Sequence, residues 1–446
     1  MDATLIIGAG ITGMQAALDI ADAGFQAYLV EREPSIGGRM AQLDETFPTL
    51  DCSSCILTPK MVGVGGHPNI ELLTYSEVIR MEESAGHFKV KVRKKPRYID
   101  LSKCTGCGIC AENCRLKGRI DSRFDVGMAT RAAVYMPFPQ AVPLKYTIDD
   151  EHCLMVQRGK CGKSPPCRDA CPSEAIDFKQ EEEIVELEVA AVIVATGFDP
   201  FDALLKPEYG YGVYENVITG LQFERLSSAS GPTFGEIKLD DRTIKDVVFI
   251  HCVGSRDRNL GNSYCSRVCC MYTAKQAHLV REKLPEARVT VFYTDMRAFG
   301  KGFEEFYDRV REERVVYRRG NPSEIYKREG RLVVRAEDTL LGEPIEAEAD
   351  LVVLAVGLVP RGDAGAVAEL LHLSLSEDGF FKEAHAKLRP TETEAEGIFI
   401  AGCCQGPKDI PDAVAQAKAA ASSAIVIMSQ SRTKSTTGEE RQENGD

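Results

Sequence analysis

The sequence predicts an α/β protein with two dinucleotide-binding-type domains, the first of which is interrupted by a cysteine-rich insertion. Three observations lead to this prediction. A strand, glycine turn, helix and strand follow one another at the amino terminus, and a second run of that order begins at IKDVVFIHCVGS. Between two strand-like segments, HFKVKVRKK and IVELEVAAVIVATG, lie roughly eighty residues rich in Cys, Gly and Pro. The 446 residues are enough for two or three cores.

The first unit runs from the strand ATLII through the turn GAGITG into an alanine-rich helix and the strand FQAYLVERE. Gly8, Gly10 and Gly13 therefore have the context that a dinucleotide-binding turn requires, because the following helix N-terminus stabilises a pyrophosphate. Glu31 ends the second strand, where we expect it to accept hydrogen bonds from an unphosphorylated ribose. Arg32, beside it, is assigned to the same binding site.

Three further segments are similar to the corresponding segments of flavoproteins of the thioredoxin reductase type. These are Gly37-Gly38-Arg39 and two distant strand ends, VIVATG and IFIAGCC. The resemblance implies FAD, with an NAD-only domain as the alternative, and it assigns to the cofactor Gly38, Arg39, Thr196, Gly197 and Gly402. It also implies that the helix after QGPKDIP begins beside the flavin. Lys408 and Ile410 are therefore assigned to the cofactor as well. Lys408 is either a cation or proton donor there, or an exposed loop lysine.

The insertion contains the run CTGCGICAENC, whose C-x2-C-x2-C-x3-C spacing is typical of a cubane ferredoxin. In such domains the fourth cysteine crosses to a second cluster. The expected ligands of one [4Fe-4S] cluster are Cys104, Cys107, Cys110 and Cys171. Those of the other are Cys114, Cys153, Cys161 and Cys167. Zinc is the alternative, but it favours paired C-x2-C knuckles.

The second unit has one glycine, in CVGSRDRN, where a nicotinamide-nucleotide turn needs three. Four cysteines stand in this region in a C-x12-C-x3-C-C pattern, and they are able to converge on one metal centre: Cys252, Cys265, Cys269 and Cys270. Packed thiols without metal are the alternative, although such a density of free thiols is reactive in a cell.

With these features the chain resembles the A-subunit family of heterodisulfide reductase and the related flavoprotein subunits of quinone-interacting membrane-bound oxidoreductases. The resemblance covers nearly the whole chain, and we expect no counterpart here of the C-terminal ferredoxin domain that some members have. It implies that the four thiolates hold a third [4Fe-4S] cluster close to the flavin. It also implies partner subunits, with a ferredoxin or a hydrogenase- or dehydrogenase-type protein as the electron donor.

Two smaller cysteine pairs are left over. Cys52 and Cys55, in LDCSSCILTPK, are candidates for a redox-active dithiol beside the isoalloxazine, and with Lys408 they are the only candidate catalytic residues. Packed thiols, or ligands at a partner interface, are the alternatives for this pair. Cys403 and Cys404 are expected to be packed thiols, because adjacent cysteines rarely form a relaxed disulfide.

Composition excludes several function classes. A net charge of −13 argues against nucleic-acid binding. The sixteen cysteines lie largely in clusters, which favours metal or redox chemistry in a reducing compartment over a disulfide framework. No export signal precedes the first strand, so we expect a cytoplasmic protein. The segment AVAQAKAAASSAIVIM is too polar to span a bilayer, which leaves peripheral attachment through partners.

The expected domains are three parts of an FAD-binding domain (1–97, 181–238 and 357–430), a ferredoxin-like insertion (98–180), a second Rossmann-like domain with an iron–sulfur site (239–356) and a disordered tail (431–446). The predicted function is an FAD and iron–sulfur electron-transfer subunit of a heterodisulfide-reductase-like complex, with an inventory of cofactors that permits flavin-based electron bifurcation. The alternatives are an NAD(P)H-dependent reductase similar to the small subunit of glutamate synthase, and a zinc-containing scaffold.

Overall fold

The computed structural model describes residues 3–84, 86–239 and 243–443, with residues 431–443 described by their backbone alone. Its first core is a parallel sheet of five strands with helices on its faces. In spatial order the strands are Ile398–Ile400, Ala191–Val194, Ala3–Ile7, Gln26–Glu31 and Ile70–Thr74. Ala191–Val194 and Ile398–Ile400 are continuous apolar runs, as expected of strands that are covered on both faces.

The glycine turn after Ala3–Ile7 has two positions where no side chain fits. A Cβ on Gly8, which has φ +101°, would lie 2.5 Å from the carbonyl oxygen of Ala195. A Cβ on Gly13 would lie 1.8 Å from the carbonyl oxygen of Gly8. The helix Ile11–Asp22 can therefore approach the strand closely, which is the role of glycine in a dinucleotide-binding turn.

Helix Ile11–Asp22 packs against the last helix, Ile410–Glu443, through small residues that include Ala17, Ala420 and Ala424. This last helix continues to Glu443, so the expectation of a disordered tail was wrong over residues 431–443; residues 444–446 lie outside the described part of the chain. Extending a formed helix adds one hydrogen bond per residue at little cost, and no proline interrupts this segment.

The insertion leaves and rejoins the first domain between two paired strands. His87–Lys94 and Glu183–Val189 are antiparallel neighbours, with Phe88 opposite Val189 and Lys94 opposite Glu183. Ser76–Ser84 completes this three-stranded sheet. Between the paired strands the insertion forms only short elements: the helices Ile109–Glu112, Leu154–Arg158 and Pro166–Asp169, and the strands Ile120–Asp121, Thr130–Arg131, Val134–Tyr135 and Thr147–Ile148.

A second parallel sheet of five strands forms the other large core. In spatial order its strands are Val217–Thr219, Leu351–Val356, Asp246–Val253, Arg288–Tyr293 and Val315–Arg319, and its helices are Gly220–Ser227, Cys269–Lys283 and Phe303–Glu312. Beside it lies an antiparallel sheet of Glu324–Arg328, Arg331–Asp338 and Glu343–Ala349. The fold is thus the predicted α/β fold with two dinucleotide-binding-type domains.

One segment lies elsewhere than expected. Val217–Thr219 and Gly220–Ser227 were placed in the first domain, within 181–238, but the strand pairs with Leu351–Val356 of the second sheet. The three-residue strand has no local signal of its own, and its position is decided by pairing with a partner more than a hundred residues away. Helix Ser53–Gly66, which contains Pro59, and helix Ala364–Leu371 were not predicted.

The two sheets are joined by a ribbon of Asp199–Pro200 and Leu358–Val359. A short hairpin, Glu45–Thr46 with Asp51–Cys52, faces the second domain from the first. Nowhere in the ranges given above is a helix long and apolar enough to cross a membrane.

Candidate cofactor sites

A cavity of about 950 Å³ lies where the first domain, the second domain and the insertion meet. Its volume is in the range of sites that bind large organic ligands. Most residues assigned to the cofactor line it: Gly8, Gly10, Glu31, Arg32, Gly38, Arg39, Thr196, Gly197, Lys408 and Ile410. Gly13 and Gly402 do not. Gly13 is used for helix–strand packing, and the N–H of Gly402 donates to Gln416 Oε1 at 2.7 Å.

Glu31 lies at the end of the second strand with its carboxylate already oriented. One oxygen accepts a hydrogen bond from the N–H of Ala9 at 2.8 Å, and the other accepts from the N–H of Glu33 at 2.9 Å. Burial raises the pKa of Glu31, and these two N–H groups partly oppose that effect. A donor such as a ribose hydroxyl would further stabilise the ionised carboxylate.

The two arginines assigned to the cofactor are held by carboxylates of the chain. Arg32 pairs with Asp363 at 2.7 Å, and Arg39 pairs with Asp199 at 3.1 Å. Burial lowers the pKa of Arg39, and Asp199 offsets part of that effect. Both guanidinium groups are therefore fixed in orientation at the cavity wall.

Lys408 is buried, so the exposed-loop alternative was wrong. Its Nζ donates to the carbonyl oxygens of Gly402 and Gly406 and to Gln405 Oε1, at 2.9, 2.7 and 2.9 Å. Burial lowers its pKa. These three acceptors hold a cationic side chain at the cavity surface, beside the start of the last helix.

The adjacent cysteines are packed thiols with backbone partners. Cys403 lines the cavity and its Sγ lies 3.4 Å from the carbonyl oxygen of Lys408. Cys404 Sγ lies 3.2 Å from the carbonyl oxygen of Val194. Burial raises the pKa of both thiols, that of Cys404 to about 11. Neutral thiols of this kind are weak nucleophiles.

The second domain contributes charged residues to the cavity that sequence reasoning missed. Glu224 and Lys275, 2% and 1% exposed, form a buried ion pair with 2.5 Å between Nζ and either carboxylate oxygen. Gln276 Nε2 also donates to Glu224, at 2.5 Å, and all three residues line the cavity. They come from two different helices, so no spacing in the sequence indicates that they meet.

The insertion brings its cysteines together in two sets of four. Cys104, Cys107, Cys110 and Cys171 line one small cavity. Burial, and after it the electrostatic effect of the other three thiols of the set, raise the pKa of Cys110 to about 12. Gly106 and Gly108, both at positive φ, turn the backbone between these cysteines. Four mutually repelling thiolates need a cation, as iron–thiolate ligation supplies.

Cys114, Cys153, Cys161 and Cys167 form the other set. Burial raises the pKa of Cys167 to about 12, followed by the electrostatic effects of Cys114 and Cys153. Burial also raises the pKa of Cys153, and Cys114 and Cys161 add to it. The two sets therefore have the composition that crossed ligation of two clusters requires.

A third set of four lies at the turn between strand Asp246–Val253 and helix Cys269–Lys283. Cys252 stands at positive φ, 60°, near the strand end, and Cys269 and Cys270 begin the helix. Burial raises the pKa of Cys269 well above the ordinary range, and Cys252, Cys270 and Cys265 raise it further. The set adjoins the large cavity, because Val268 and Tyr272 line that cavity. Its donors are those that an iron–sulfur cluster uses.

The glycine of the same turn is packed against another side chain. This glycine, Gly254, faces the ring of Phe201, and a Cβ there would lie 2.1 Å from that ring. Asn262 Nδ2 donates to the carbonyl oxygen of Gly254 at 3.0 Å, which ties the turn to the following loop.

Cys52 and Cys55 are exposed and do not line the cavity. Their Sγ atoms are 2.6 Å apart, and the N–H of Cys55 donates to Cys52 Sγ at 3.3 Å at the start of helix Ser53–Gly66. Glu45, opposite Cys52 in the hairpin, does line the cavity. The pair is therefore accessible from solvent, with its hairpin against the cavity wall.

Three family models match the chain. The model described as pyridine nucleotide-disulphide oxidoreductase matches residues 172–421, an NAD(P)-binding Rossmann-like domain matches residues 6–60, and a 4Fe-4S binding domain matches residues 97–115. Together they support FAD and iron–sulfur clusters as the cofactors.

Curated relatives confirm the resemblance seen in the sequence. One of the iron-sulfur A subunits of CoB–CoM heterodisulfide reductase in Methanopyrus kandleri is 54% identical over 432 residues. The A subunit of H2:CoB-CoM heterodisulfide,ferredoxin reductase in Methanothermobacter marburgensis is 53% identical over 431 residues. Both alignments cover 96% of this chain and 64% of the relative. The chain thus spans less than two thirds of the length of these relatives.

Solved structures show the fold. Thioredoxin reductase of Lactococcus lactis has a TM-score of 0.52 at 15% identity, covering 96% of this chain and 100% of its own. Thioredoxin reductase of T. acidophilum has a TM-score of 0.51 at 14% identity, covering 96% of this chain and 99% of its own.

Proposed function

From the premise that this chain is an oxidoreductase that belongs to the pyridine nucleotide-disulphide oxidoreductase family, we propose that it is the FAD and iron–sulfur electron-transfer subunit of a heterodisulfide-reductase-like complex. It moves electrons between a partner donor and partner acceptors. The donor is a ferredoxin or a hydrogenase- or dehydrogenase-type protein, and bifurcation at the flavin divides the electrons between a high-potential and a low-potential acceptor.

The observation that carries the proposal is the third set of thiols. Cys252, Cys265, Cys269 and Cys270 lie at the turn where a pyridine nucleotide would bind in the second domain, and Tyr272 of the same helix lines the large cavity. A cluster at this turn accepts single electrons, whereas a nicotinamide delivers a hydride. The proposed subunit therefore receives or releases electrons through iron.

We assign the FAD to the large cavity. When bound, the flavin supplies two-electron chemistry and exchanges single electrons with iron–sulfur centres. Glu31 orients the ribose, the N-terminus of helix Ile11–Asp22 faces the pyrophosphate, and Lys408 places a cation at the flavin end of the cavity. The buried pair of Glu224 and Lys275 faces the same space from the second domain.

The proposed inventory of iron is three [4Fe-4S] clusters. Two belong to the insertion, residues 98–180, with the ligand sets that begin at Cys104 and Cys114. The third belongs to residues 239–356, with the set that begins at Cys252. The FAD-binding domain is proposed to comprise residues 1–97, 181–238 and 357–430, apart from the segment 217–227 that pairs with the second sheet. Cys52 and Cys55 are proposed as an additional dithiol.

Anaerobic titration with NADH and with NADPH tests the proposal. We expect neither nucleotide to bleach the flavin rapidly, whereas a low-potential one-electron donor such as dithionite-reduced ferredoxin bleaches it. Rapid bleaching by either nucleotide alone would refute the proposal in favour of a self-sufficient NAD(P)H-dependent reductase. Elemental analysis is the second test, because zinc in place of iron identifies a scaffold.

A further inference from the structure

The insertion forms a wall of the large cavity and is more than a neighbouring carrier of cysteines. Residues 122–125, 130–131 and 135–138 of the insertion supply it, and they include Phe124, Arg131 and Tyr135. Phe124 stacks on Phe138 with 4.7 Å between ring centroids, and Phe138 is part of the core of the first domain. This wall is therefore built into the flavin domain by apolar packing.

Tyr135 and Arg131 contact each other in this wall. The guanidinium carbon of Arg131 lies 3.8 Å from the centroid of the Tyr135 ring, so one face of the ring is covered by a cation. Arg131, 12% exposed, donates to Asp149 Oδ2 at 2.5 Å. The carbonyl oxygen of Asp149 accepts from the N–H of Cys153 at 2.9 Å. The ring is thus positioned by a chain of contacts that ends at a thiol-bearing residue of the insertion.

The wall stands at the ribose end of the cavity. Tyr135 lines the same cavity as Glu31 and Glu33, and burial raises its pKa to about 12, an effect that Arg131 opposes in part. The N–H of Glu33 in turn donates to Glu31 Oε1 at 2.9 Å. Glu31 is the residue placed to bind the ribose next to the adenine.

Backbone contacts hold the insertion against the loop that follows Glu33. Arg97, the last residue before the insertion, donates to the carbonyl oxygen of Pro34 at 2.8 Å. The N–H of Val142 donates to Ser35 Oγ at 2.9 Å, and the carbonyl oxygen of Val142 accepts from the N–H of Ile36 at 3.1 Å. This loop leads directly into Gly37 and Gly38, so the insertion and the dinucleotide-binding loop are one rigid assembly at this end.

We propose that the insertion supplies the adenosine subsite of the FAD site, with the Tyr135 ring, backed by Arg131, as the surface that contacts the adenine. The inference rests on the proposed function, in which FAD occupies this cavity. An aromatic ring with a cation against one of its faces is a suitable surface for a purine, because bases stack on aromatic side chains and cations attract π systems. Flavin binding then depends on the fold of the iron–sulfur insertion.

The test is the ratio of two dissociation constants, that of FMN over that of FAD, measured by titrating anaerobic, iron-loaded, flavin-free protein. FMN lacks the adenosine half, so the ratio reports what that half contributes. For Tyr135→Leu we expect the ratio to fall by about tenfold or more, since stacking of one base is worth about 1.4 kcal/mol or more and that converts to tenfold. Tyr135→Phe keeps the ring and should keep the wild-type ratio.

Arg131→Met is compared with Arg119→Met, which removes an exposed arginine of the insertion outside the cavity. Only Arg131→Met should lower the ratio of the FMN and FAD dissociation constants. If Tyr135→Leu cannot be loaded with iron, the comparison of Arg131→Met with Arg119→Met tests the inference. A general folding defect weakens FMN and FAD equally; an unchanged ratio in Tyr135→Leu and Arg131→Met overturns the inference. Wild-type protein that binds FAD no better than FMN overturns it too, and wild-type protein that binds neither overturns the proposed function.

Discussion

The buried ion pair of the second domain, Glu224 with Lys275, makes a quantitative test possible. Lys275 donates to both carboxylate oxygens of Glu224 at 2.5 Å and to the carbonyl oxygen of Glu45 at 3.1 Å. Glu45 belongs to the first domain and Lys275 to the second, so the ammonium group connects them. The substitution Lys275→Met keeps the length of the side chain and removes the charge and the donors.

The expected loss in the free energy of unfolding depends on the hydrogen-bond donors that Glu224 retains in the variant. Removing one partner of a buried pair typically costs about 3–5 kcal/mol, because the remaining charge is left without compensation. Glu224 retains donors in Gln276 Nε2 at 2.5 Å and the N–H of Asp44 at 3.1 Å, which places the expected loss near the lower limit, about 3 kcal/mol. At about 2–4 °C per kcal/mol for a domain of this size, Tm falls by about 6–12 °C.

The assay is thermal unfolding of the reconstituted protein, followed by near-UV circular dichroism and by flavin fluorescence. Lys283→Met is the matched control: Lys283 is on the same helix, is 29% exposed and lies 3.6 Å from Asp44. A partly exposed pair of this kind is worth less than about 1 kcal/mol, so its Tm should change by no more than about 4 °C. The double variant Glu224→Leu with Lys275→Met should recover most of the loss, since apolar replacement of a whole buried pair is often neutral. If Lys275→Met and Lys283→Met shift Tm equally, the pair does not stabilise the interface.

Three further changes have defined outcomes. Cys270→Ser should lower the iron content from about 12 to about 8 atoms per chain while FAD is retained, whereas Cys404→Ala should leave the iron unchanged; equal iron in both variants contradicts the third cluster. Lys408→Met should make the two-electron midpoint potential of the flavin more negative by about 30 mV or more, because a buried cation beside the reduced flavin is lost. A potentiometric titration measures this shift, and a positive shift would contradict the prediction. His251 is buried, neither ring nitrogen has a hydrogen-bond partner among the described residues, and burial lowers its pKa to about 4. The unfolded chain, with a histidine pKa near 6.5, then binds the proton first, so stability is complete above pH ~6.5 and falls by about 2 kcal/mol at pH 5. His251→Phe should remove this loss from denaturation midpoints measured at pH 7 and pH 5, and an identical pH dependence in both proteins would show that His251 is not its source.

Much of the first domain could be predicted because its signals are local. Gly13 is required by a contact within a single turn, since a Cβ there would lie 1.8 Å from the carbonyl oxygen of Gly8, and apolar strands on both sides provide the context. The spacing of Cys104, Cys107 and Cys110 likewise describes one loop, which the structure turns around one small cavity. Such features depend on neighbours in the chain, and those neighbours are visible in the sequence.

The predictions that were wrong concern features that depend on residues distant in the chain. Val217–Thr219 is too short to indicate its sheet, and its place depends on Leu351–Val356. Lys408 looks like a loop lysine until Gly402, Gln405 and Gly406 fold around its Nζ. Burial of a charged side chain depends on how many acceptors the fold brings to it, and spacing in the sequence does not state that number.

The sequence by itself therefore determined the two dinucleotide-binding-type domains, the cysteine-rich insertion between paired strands, and the absence of a glycine fingerprint in the second domain. Each of these features depends on backbone sterics or on the spacing of ligands over a few residues. The tertiary structure alone decided that Glu224 meets Lys275 and that Tyr135 of the insertion lines the same cavity as Glu31 and Glu33. Those contacts join segments that are distant in the chain, and they exist only because packing of the two sheets and the insertion excludes the other arrangements.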